Sequence, residues 1–276
     1  MDEGPSRRKR PPDWIIYAAA VAGLVALAVA GQERADAPPA PPPIAEDDAL
    51  VAASSIDVSE LKPMPHEAVA GTAFSISDKG IWLTARHVVA HCRQAGVMVA
   101  PQRGVRARVV ADPSSDLAVL ETAGGAPPLP LAPVAVLGEG RRGFHPGYPQ
   151  GRPGEAASRL LGPEDLKGPA RGARTQKVLA WAEVGRTDGL DGSLAGLSGA
   201  PVLDGAGRVL GVTLAESPRR GRIYSSTPQA IGAALAMAHA APSGFARGEV
   251  ITTDNYGRVA DDLRRDLRVA QVVCLD

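Results

Sequence analysis

The sequence predicts an antiparallel all-β domain over most of its length. From Ala68 onward, short runs rich in apolar and β-branched residues alternate with clusters of Gly, Pro and Asp, the pattern of short strands joined by turns. Long amphipathic helical patterns are absent until residues 228–239, where Ile231, Leu235 and Ala238 recur at helical spacing. A single all-β unit commonly extends to about 200 residues, so this part of the chain is long enough to bury a sizeable core.

Charge and histidine spacing argue against nucleic-acid and metal binding. The chain carries 30 basic and 30 acidic side chains and has no formal net charge, so no basic surface for nucleic acid is predicted. His87 and His91 are four residues apart, as in some metal sites, but no third ligand accompanies them. We therefore expect no metal ion and no other cofactor. The isolated His66, His145 and His239 are predicted to lie on the surface or in loops.

Residues 1–30 have the pattern of a targeting segment. Residues 1–13 form a basic tail with the run RRKR, and residues 14–30 form an uncharged apolar run near the shortest length that spans a bilayer. A transmembrane helix here would keep the basic tail in the cytoplasm and place everything after Gly31 outside. A cleaved signal peptide is the alternative, because Ala28-Val29-Ala30 fits a cleavage site.

The composition suggests where such a protein resides. Heavy use of Ala, Gly, Pro and Arg is typical of a GC-rich bacterial genome. We therefore expect a single-pass protein of the bacterial inner membrane whose folded domain lies in the periplasm. If the signal is cleaved, the domain is instead secreted to the periplasm.

The rest of the chain divides into three predicted parts. Residues 31–60 form a Pro/Ala-rich linker, which favours an extended, polyproline-like conformation without a core. Residues 61–240 form the globular domain. Residues 241–276 form a C-terminal extension, in which residues 271–274 are able to add one strand.

Residues 196–201, with the sequence GLSGAP, place Ser198 between two glycines just before an apolar strand pattern. A serine hydroxyl becomes an effective nucleophile when a base removes its proton and N–H groups receive the oxyanion. The neighbouring glycines allow positive φ, which lets successive N–H groups converge on one point. Taken alone, the motif also fits a Gly-rich hairpin turn with a surface serine.

Two upstream segments supply the other side chains that a nucleophilic serine needs. Residues 71–89 predict a β-hairpin with a DKG turn that delivers His87 just past the end of a strand. Residues 112–121, with the sequence DPSSDLAVLE, place Asp116 at the start of another strand. Taken singly, His87 also fits a structural histidine at a strand end, and Asp116 fits an acid that caps a turn.

Together these segments resemble the trypsin-like serine peptidases, specifically the bacterial HtrA/Deg-type branch. The GTAF strand, the T-x-x-H-V-V histidine, the D-L-A-V-L aspartate and the G-x-S-G-x-P serine match in the family's order. Residues 147–151 look like the family's G-x-P-x-G segment, and residues 205–212 look like the turn and strand after the serine. The resemblance covers roughly residues 66–235. It implies two antiparallel six-stranded β-barrels with the site in the cleft between them.

The resemblance also implies the chemistry of a serine endopeptidase. Ser198 would attack the scissile carbonyl, His87 would act as general base and acid, and Asp116 would fix the histidine tautomer. The backbone N–H groups of Gly196 and Ser198 would form the oxyanion hole. The expected partners are protein or peptide substrates and, through the N-terminal helix, the membrane. The oligomeric state is left open.

Two departures from the family pattern keep an alternative open. Leu197 stands where the family usually carries Asn or Asp, and Ala200 stands where it carries Gly. A catalytically silent protease-fold domain that binds or senses a partner therefore remains the alternative function. The 36 residues after Ala240 are too few for the PDZ domain that many HtrA-like proteins carry.

The resemblance further implies a substrate preference. The base of the primary side-chain pocket is expected six residues before the nucleophile, at Gly192. A glycine offers no carboxylate to a substrate cation, which predicts small or medium apolar side chains in the pocket. If Asp191 enters the pocket instead, Lys and Arg would be preferred.

Cys92 and Cys274 are the two cysteines of the chain. An oxidising compartment permits a disulfide between them, but two separate buried thiols fit the sequence equally well.

Overall fold

The computed structural model of the protein describes residues 55–57, 71–134, 137–167, 175–243 and 248–275. Residues 14–30, which are predicted to cross the membrane, and most of the linker lie outside this part of the chain. Within the described part, no helix combines the length and apolar character that a membrane span requires.

The described chain is predominantly β-sheet with three short α-helices. The order of elements is β1 Ser55–Asp57, β2 Gly71–Ser77, β3 Ile81–Ala85, α1 Arg86–Val89, β4 Ala95–Ala100, β5 Arg103–Ala111, β6 Leu117–Thr122, β7 Arg142–Gly147, β8 Gly154–Lys167, β9 Thr175–Arg186, β10 Pro201–Leu203, β11 Val209–Ser217, β12 Arg222–Ser225, α2 Pro228–Met237, α3 Tyr256–Arg265 and β13 Val269–Cys274. Short 3₁₀ turns lie at Pro149–Gly151 and Pro218–Arg220.

The strands form two closed antiparallel barrels of six strands each, so the predicted all-β, two-barrel architecture is confirmed. The first barrel contains β5, β4, β13, β2, β3 and β6, and pairing of β5 with β6 closes it. The second contains β10, β11, β12, β9, β8 and β7, and pairing of β10 with β7 closes it. The hairpin predicted over residues 71–89 is β2 and β3, followed directly by α1.

Each barrel has a tryptophan in its core. Trp82 of the first barrel and Trp181 of the second are almost completely buried. A buried indole N–H needs an acceptor. The Trp82 Nε1–H donates to Thr122 Oγ1 at 2.9 Å, and the Trp181 Nε1–H donates to Ser225 Oγ at 2.9 Å.

The final strand belongs to the first barrel rather than to an appendage. Strand β13 pairs with β2, placing Val272 opposite Gly71, and with β4, placing Cys274 opposite Ala95. The first barrel is therefore incomplete without the segment after residue 240. A disulfide joins Cys274 to Cys92 with a Cα–Cα distance of 4.9 Å, which ties β13 to the turn after α1.

Helix α3, in the same C-terminal segment, supports the second barrel through a buried arginine. The Arg264 guanidinium donates to Asp261 Oδ1 at 2.6 Å and to Glu155 Oε2 at 3.1 Å. It also donates to the carbonyl oxygens of Gly154 at 3.1 Å and of Gly147 at 3.4 Å. The ends of β7 and β8 are thus held by a residue distant in sequence.

Candidate active site

His87 lies on α1, immediately after strand β3, and is held by a single carboxylate. Its backbone N–H donates to Asp116 Oδ1 at 2.9 Å, and its Nδ1 lies 2.7 Å from Asp116 Oδ2. A carboxylate opposite Nδ1 favours the tautomer that carries its proton there, which leaves the Nε2 lone pair able to accept a proton. The His87 side chain is 44% exposed and that of Asp116 is 20% exposed. The pair is therefore accessible to solvent rather than enclosed in a core.

Asp116 is oriented by groups from both barrels. Its backbone N–H donates to Gln176 Oε1 of β9 at 2.9 Å, and its carbonyl accepts from Arg86 N at 3.0 Å. The other acid of this turn, Asp112, accepts hydrogen bonds from Ser114 and Ser115. Burial would raise the pKa of Asp112, but these hydrogen bonds together with the nearby Arg86 charge lower it overall. Asp112 therefore shapes the turn while Asp116 contacts the histidine.

Ser198 lies on a turn whose two glycines are required by geometry. Gly196 has φ +96° and Gly199 has φ +90°, values that favour glycine. A Cβ added to Gly196 would lie 2.5 Å from Tyr148 O, and one added to Gly199 would lie 1.9 Å from Thr72 O. The backbone of this turn therefore packs too closely for any side chain at either position.

Two carbonyl groups of this turn accept hydrogen bonds from Thr72 of the first barrel, whereas two of its N–H groups do not donate to any described residue. Thr72 Oγ1 donates to Gly196 O at 2.8 Å, and Thr72 N donates to Ser198 O at 2.9 Å. Among the described residues, the N–H groups of Gly196 and Ser198 have no acceptor within the protein. Two N–H groups on the serine turn, one of them that of the serine itself, are thus available to an oxyanion.

The first barrel approaches Ser198 closely, at the start of β2. A Cβ added to Gly71 would lie 2.5 Å from Val88 Cγ1 of α1 and 3.1 Å from Ser198 O. The helix that carries His87 and the turn that carries Ser198 therefore flank the same glycine. Ser198 Oγ lies 3.4 Å from Leu214 O, and no hydrogen bond joins His87 to Ser198 among the described residues.

Both departures from the family pattern fit the structure without strain. Leu197 is 2% exposed and packs in the apolar core of the second barrel. Ala200 is fully buried and does not have positive φ, so its methyl group imposes no backbone strain.

A cavity that is open to solvent lies next to Ser198. Its walls include Leu194, Leu197, Ala215 and Ile223, together with the hydroxyl-bearing Ser198 and the carboxylate of Glu216. Gly192, the expected base of the pocket, is not among the residues that line it. It is exposed instead, and its carbonyl accepts from an Arg186 N–H at 2.8 Å.

A family model for the trypsin-like peptidase domain matches residues 71–212, just over half of the chain. The chain belongs to this family. The matched segment contains His87, Asp116 and Ser198. The first part of the predicted resemblance, to trypsin-like peptidases, is thereby confirmed. No curated protein matches the sequence significantly.

Solved structures of proteases resemble this trypsin-like domain. The Rv3671c protease in its inactive form is 27% identical with a TM-score of 0.50, and the alignment covers 72% of this chain and 98% of that one. The active form of Rv3671c from M. tuberculosis is 24% identical with a TM-score of 0.51, covering 76% of this chain and 94% of that one. The HtrA-type protease AlgW is 21% identical with a TM-score of 0.49, covering 61% of this chain and 51% of that one.

Gln150 is a supporting residue of the trypsin-like site to which the sequence assigns no role. Its backbone N–H donates to Ala195 O at 2.5 Å, and its side-chain amide donates to Asp191 O at 2.7 Å and Ser193 O at 2.9 Å. It achieves this with φ +54°, in the left-handed region. One residue thus holds the loop that precedes the Ser198 turn.

His145 corrects a prediction, because it is neither on the surface nor in a loop. It lies in β7 with no exposed surface. Its Nδ1 is 3.0 Å from Thr213 Oγ1, and its Nε2 is 2.7 Å from Ser158 Oγ. Burial lowers the pKa of His145 to about 3. Of the other isolated histidines, His239 is exposed and His66 lies outside the described residues.

Proposed function

We propose that this protein is a serine endopeptidase of the HtrA type in which Ser198 is the nucleophile. The observation that carries the proposal is the double contact of Asp116 with the backbone and ring of His87. That contact fixes the imidazole with its Nε2 available as a base, which is the role a serine nucleophile requires. The likeness to the Rv3671c protease supports peptidase chemistry on the same fold.

The proposed reaction assigns one step to each of these groups. Ser198 Oγ bonds to the scissile carbonyl carbon while His87 Nε2 takes the hydroxyl proton. The carbonyl oxygen becomes an oxyanion that accepts from the Gly196 and Ser198 N–H groups. The tetrahedral adduct then expels the amine, which leaves with the proton held by His87, and an acyl-enzyme remains. Water then attacks the acyl carbonyl carbon while His87 Nε2 takes a proton from it. The second tetrahedral adduct expels Ser198 Oγ, which regains its proton from His87.

Asp116 contributes to this reaction through His87. When the imidazole gains a proton at Nε2, the carboxylate 2.7 Å from Nδ1 stabilises the resulting cation. Since its two oxygens contact the ring and the backbone of His87, ring rotation would break one of the two bonds. Asp116 is therefore proposed to fix both the tautomer and the orientation.

Covalent labelling with a fluorophosphonate tests the nucleophile directly. We expect the full-length protein to be labelled at Ser198, and Ser198→Ala to abolish both labelling and peptide cleavage. Ser243→Ala is the matched control, because the Ser243 hydroxyl donates to Asp78, which has no role in the proposed reaction. Unlabelled wild-type protein with no cleavage of any peptide library would instead favour the alternative, a protease-fold binding or sensing module.

We also propose that the domain acts outside the cytoplasm, tethered to the inner membrane by residues 14–30. The basic tail before these residues supports this orientation. The Cys92–Cys274 disulfide is compatible with an oxidising compartment. A periplasmic activity reporter fused after Asp276 is expected to be active, and membrane-bound protein is expected to begin at Met1. A soluble form beginning near Gly31 would show that the segment is a cleaved signal peptide.

A further inference from the structure

The segment that precedes the nucleophile is a hydrogen-bonded β-turn. The backbone N–H of Leu197 donates to Leu194 O at 2.9 Å, and Gly196, the third residue of the turn, has φ +96°. A positive φ at the third position is that of a type II turn. Types I and II differ mainly in the orientation of the central peptide, which here joins Ala195 to Gly196. That peptide carries one of the two proposed oxyanion donors, so its orientation decides whether the oxyanion hole is complete.

Gln150 fixes the orientation of this central peptide. Its backbone N–H donates to Ala195 O at 2.5 Å. The C=O and N–H bonds of a trans peptide point in opposite directions, so a carbonyl held by Gln150 directs the Gly196 N–H away from Gln150. Within the described ranges, that N–H meets no acceptor of the protein. The bond from Gln150 therefore keeps this donor available to an oxyanion.

The carbonyl groups after this peptide are held by a different residue. Gly196 O accepts from Thr72 Oγ1 at 2.8 Å, and Ser198 O accepts from Thr72 N at 2.9 Å. Thr72 thus fixes the backbone after Gly196, whereas the peptide before Gly196 depends on Gln150. Glycine adopts either sign of φ, so Gly196 itself does not select the orientation that exposes its N–H.

The side chain of Gln150 supports its unusual backbone conformation. Its φ of +54° lies in the left-handed region, which is uncommon for residues other than glycine. Its side-chain amide donates to Asp191 O at 2.7 Å and to Ser193 O at 2.9 Å. These two bonds join Gln150 to the segment that leads into the turn, so they hold the Gln150 N–H close to Ala195 O.

We propose that Gln150 is a positioning residue of the oxyanion hole, which holds the Ala195–Gly196 peptide with its N–H directed at the attacked carbonyl. This inference rests on the proposed peptidase function. When the side-chain bonds of Gln150 are lost, the peptide can rotate to the type I arrangement, and Ala195 O then replaces the N–H beside the oxyanion. A carbonyl oxygen at that place repels the developing negative charge, so the transition state loses a donor and meets an unfavourable dipole.

The test compares wild-type protein with Gln150→Gly and Gln102→Gly. Glycine accepts φ +54° and keeps the backbone N–H, so Gln150→Gly removes only the side-chain bonds. Gln102 is the matched control, because it is also an exposed glutamine with left-handed φ (+61°) and lies in the turn between β4 and β5. We expect Gln150→Gly to lower kcat by about 10- to 100-fold with little change in KM, because an oxyanion donor acts in the transition state. Gln102→Gly is expected to keep the wild-type kcat and KM.

Inhibition by a peptide aldehyde gives a second measurement that a merely structural role would not change. Ser198 Oγ bonds to the aldehyde carbon while its proton passes to His87, and the resulting hemiacetal oxygen lies in the oxyanion hole. We expect Gln150→Gly to weaken this inhibition by the same factor as kcat, because the adduct resembles the transition state. The corresponding peptide alcohol forms no adduct and is expected to bind wild type and variant equally.

The possible outcomes separate this inference from the proposed function. Wild-type kinetics in Gln150→Gly overturn the role of Gln150 and leave the peptidase intact. A loss confined to KM, or an equal weakening of aldehyde and alcohol binding, also overturns it, because Gln150 then affects only peptide binding. An equal loss of kcat in Gln102→Gly overturns it as well. Wild-type protein that is neither labelled by a fluorophosphonate nor active overturns both proposals.

A second variant covers the case in which Gln150→Gly does not fold. Gln150→Glu keeps the length of the side chain, but its carboxylate cannot donate to the carbonyl groups of Asp191 and Ser193. The same loss of kcat is expected in this variant. A wild-type kcat in Gln150→Glu would overturn the proposal.

Discussion

His87 and His145 occupy opposite environments in the two barrels. His87 is 44% exposed at the end of β3 and faces a carboxylate at 2.7 Å. His145 is fully buried in β7 between the hydroxyl groups of Thr213 and Ser158. The His87 ring has one hydrogen-bonding contact and the His145 ring has two, so the number of contacts does not identify the catalytic ring. The charge of the hydrogen-bonding partner and the exposure to solvent distinguish the two rings.

This difference separates a histidine that can exchange protons from one that cannot. A carboxylate stabilises the imidazolium that forms during general-base catalysis, and exposure allows substrate to reach the ring. Hydroxyl groups in a core stabilise only the neutral ring, and burial lowers the pKa of His145 to about 3. The comparison therefore predicts that His87 is catalytic and that His145 is structural.

The largest expected effect comes from replacing each of the two histidines in turn. His87→Ala is expected to lower kcat/KM by at least about 10³-fold, because it removes the general base. His145→Gln is expected to leave activity per folded molecule within a few fold, since a glutamine amide can still pair with a hydroxyl. Circular dichroism checks that both variants are folded, and titration with a fluorophosphonate counts the active sites of His145→Gln. A strong loss of activity in folded His145→Gln would contradict the purely structural role of His145.

The sequence predicts the position of His87 but not the burial of His145, and the difference has a physical reason. His87 follows a hairpin whose apolar runs and turn are local, so a short window of sequence predicts its position, while its proposed role comes from the resemblance of several segments. The β7 sequence RGFHPG contains Gly and Pro and shows no alternation that would indicate burial. The partners of His145 lie 13 and 68 residues away. Only the closed second barrel brings them together.

The sequence does not predict that Glu216 lies at the cavity wall, for a related reason. The register of β11 against β12 shifts between Thr213 and Ala215. Such an irregularity re-aims the side chains that follow it, because one residue of shift exchanges the two faces of a strand. The expectation at Gly192 rests on a fixed spacing along the sequence, whereas Glu216 lies at the cavity because of where β11 runs in the barrel. The residues of the cavity wall are therefore brought together by the barrel and not by a local motif.

The next effect compares the two acids of the turn before β6. Asp116→Asn is expected to lower kcat by about 10³- to 10⁴-fold without unfolding the protein, because an amide at this position favours the wrong tautomer of His87. Asp112→Asn is expected to cost about 1–2 kcal/mol of stability through weaker bonds to Ser114 and Ser115. Kinetics and urea unfolding of both variants separate the effects. Equal kinetic losses would show that the turn acts as one unit.

The smallest effect concerns His145 and the pH dependence of stability. In the unfolded chain a histidine binds a proton below its ordinary pKa of 6.5, whereas folded His145 stays neutral until about pH 3. Between these values the unfolded state binds more protons, so stability falls as the pH decreases from 6.5 towards 3. The limiting slope is about 1.4 kcal/mol per pH unit, so lowering the pH from 6.5 to 4.5 is expected to cost about 2 kcal/mol from this residue.

Urea unfolding of Ser198→Ala protein, with and without His145→Gln, measures this contribution without autolysis. His145→Gln is expected to flatten the pH dependence over this range. Parallel curves for the two proteins would mean that His145 takes up a proton in the folded state, and the contrast with His87 would then rest on exposure alone.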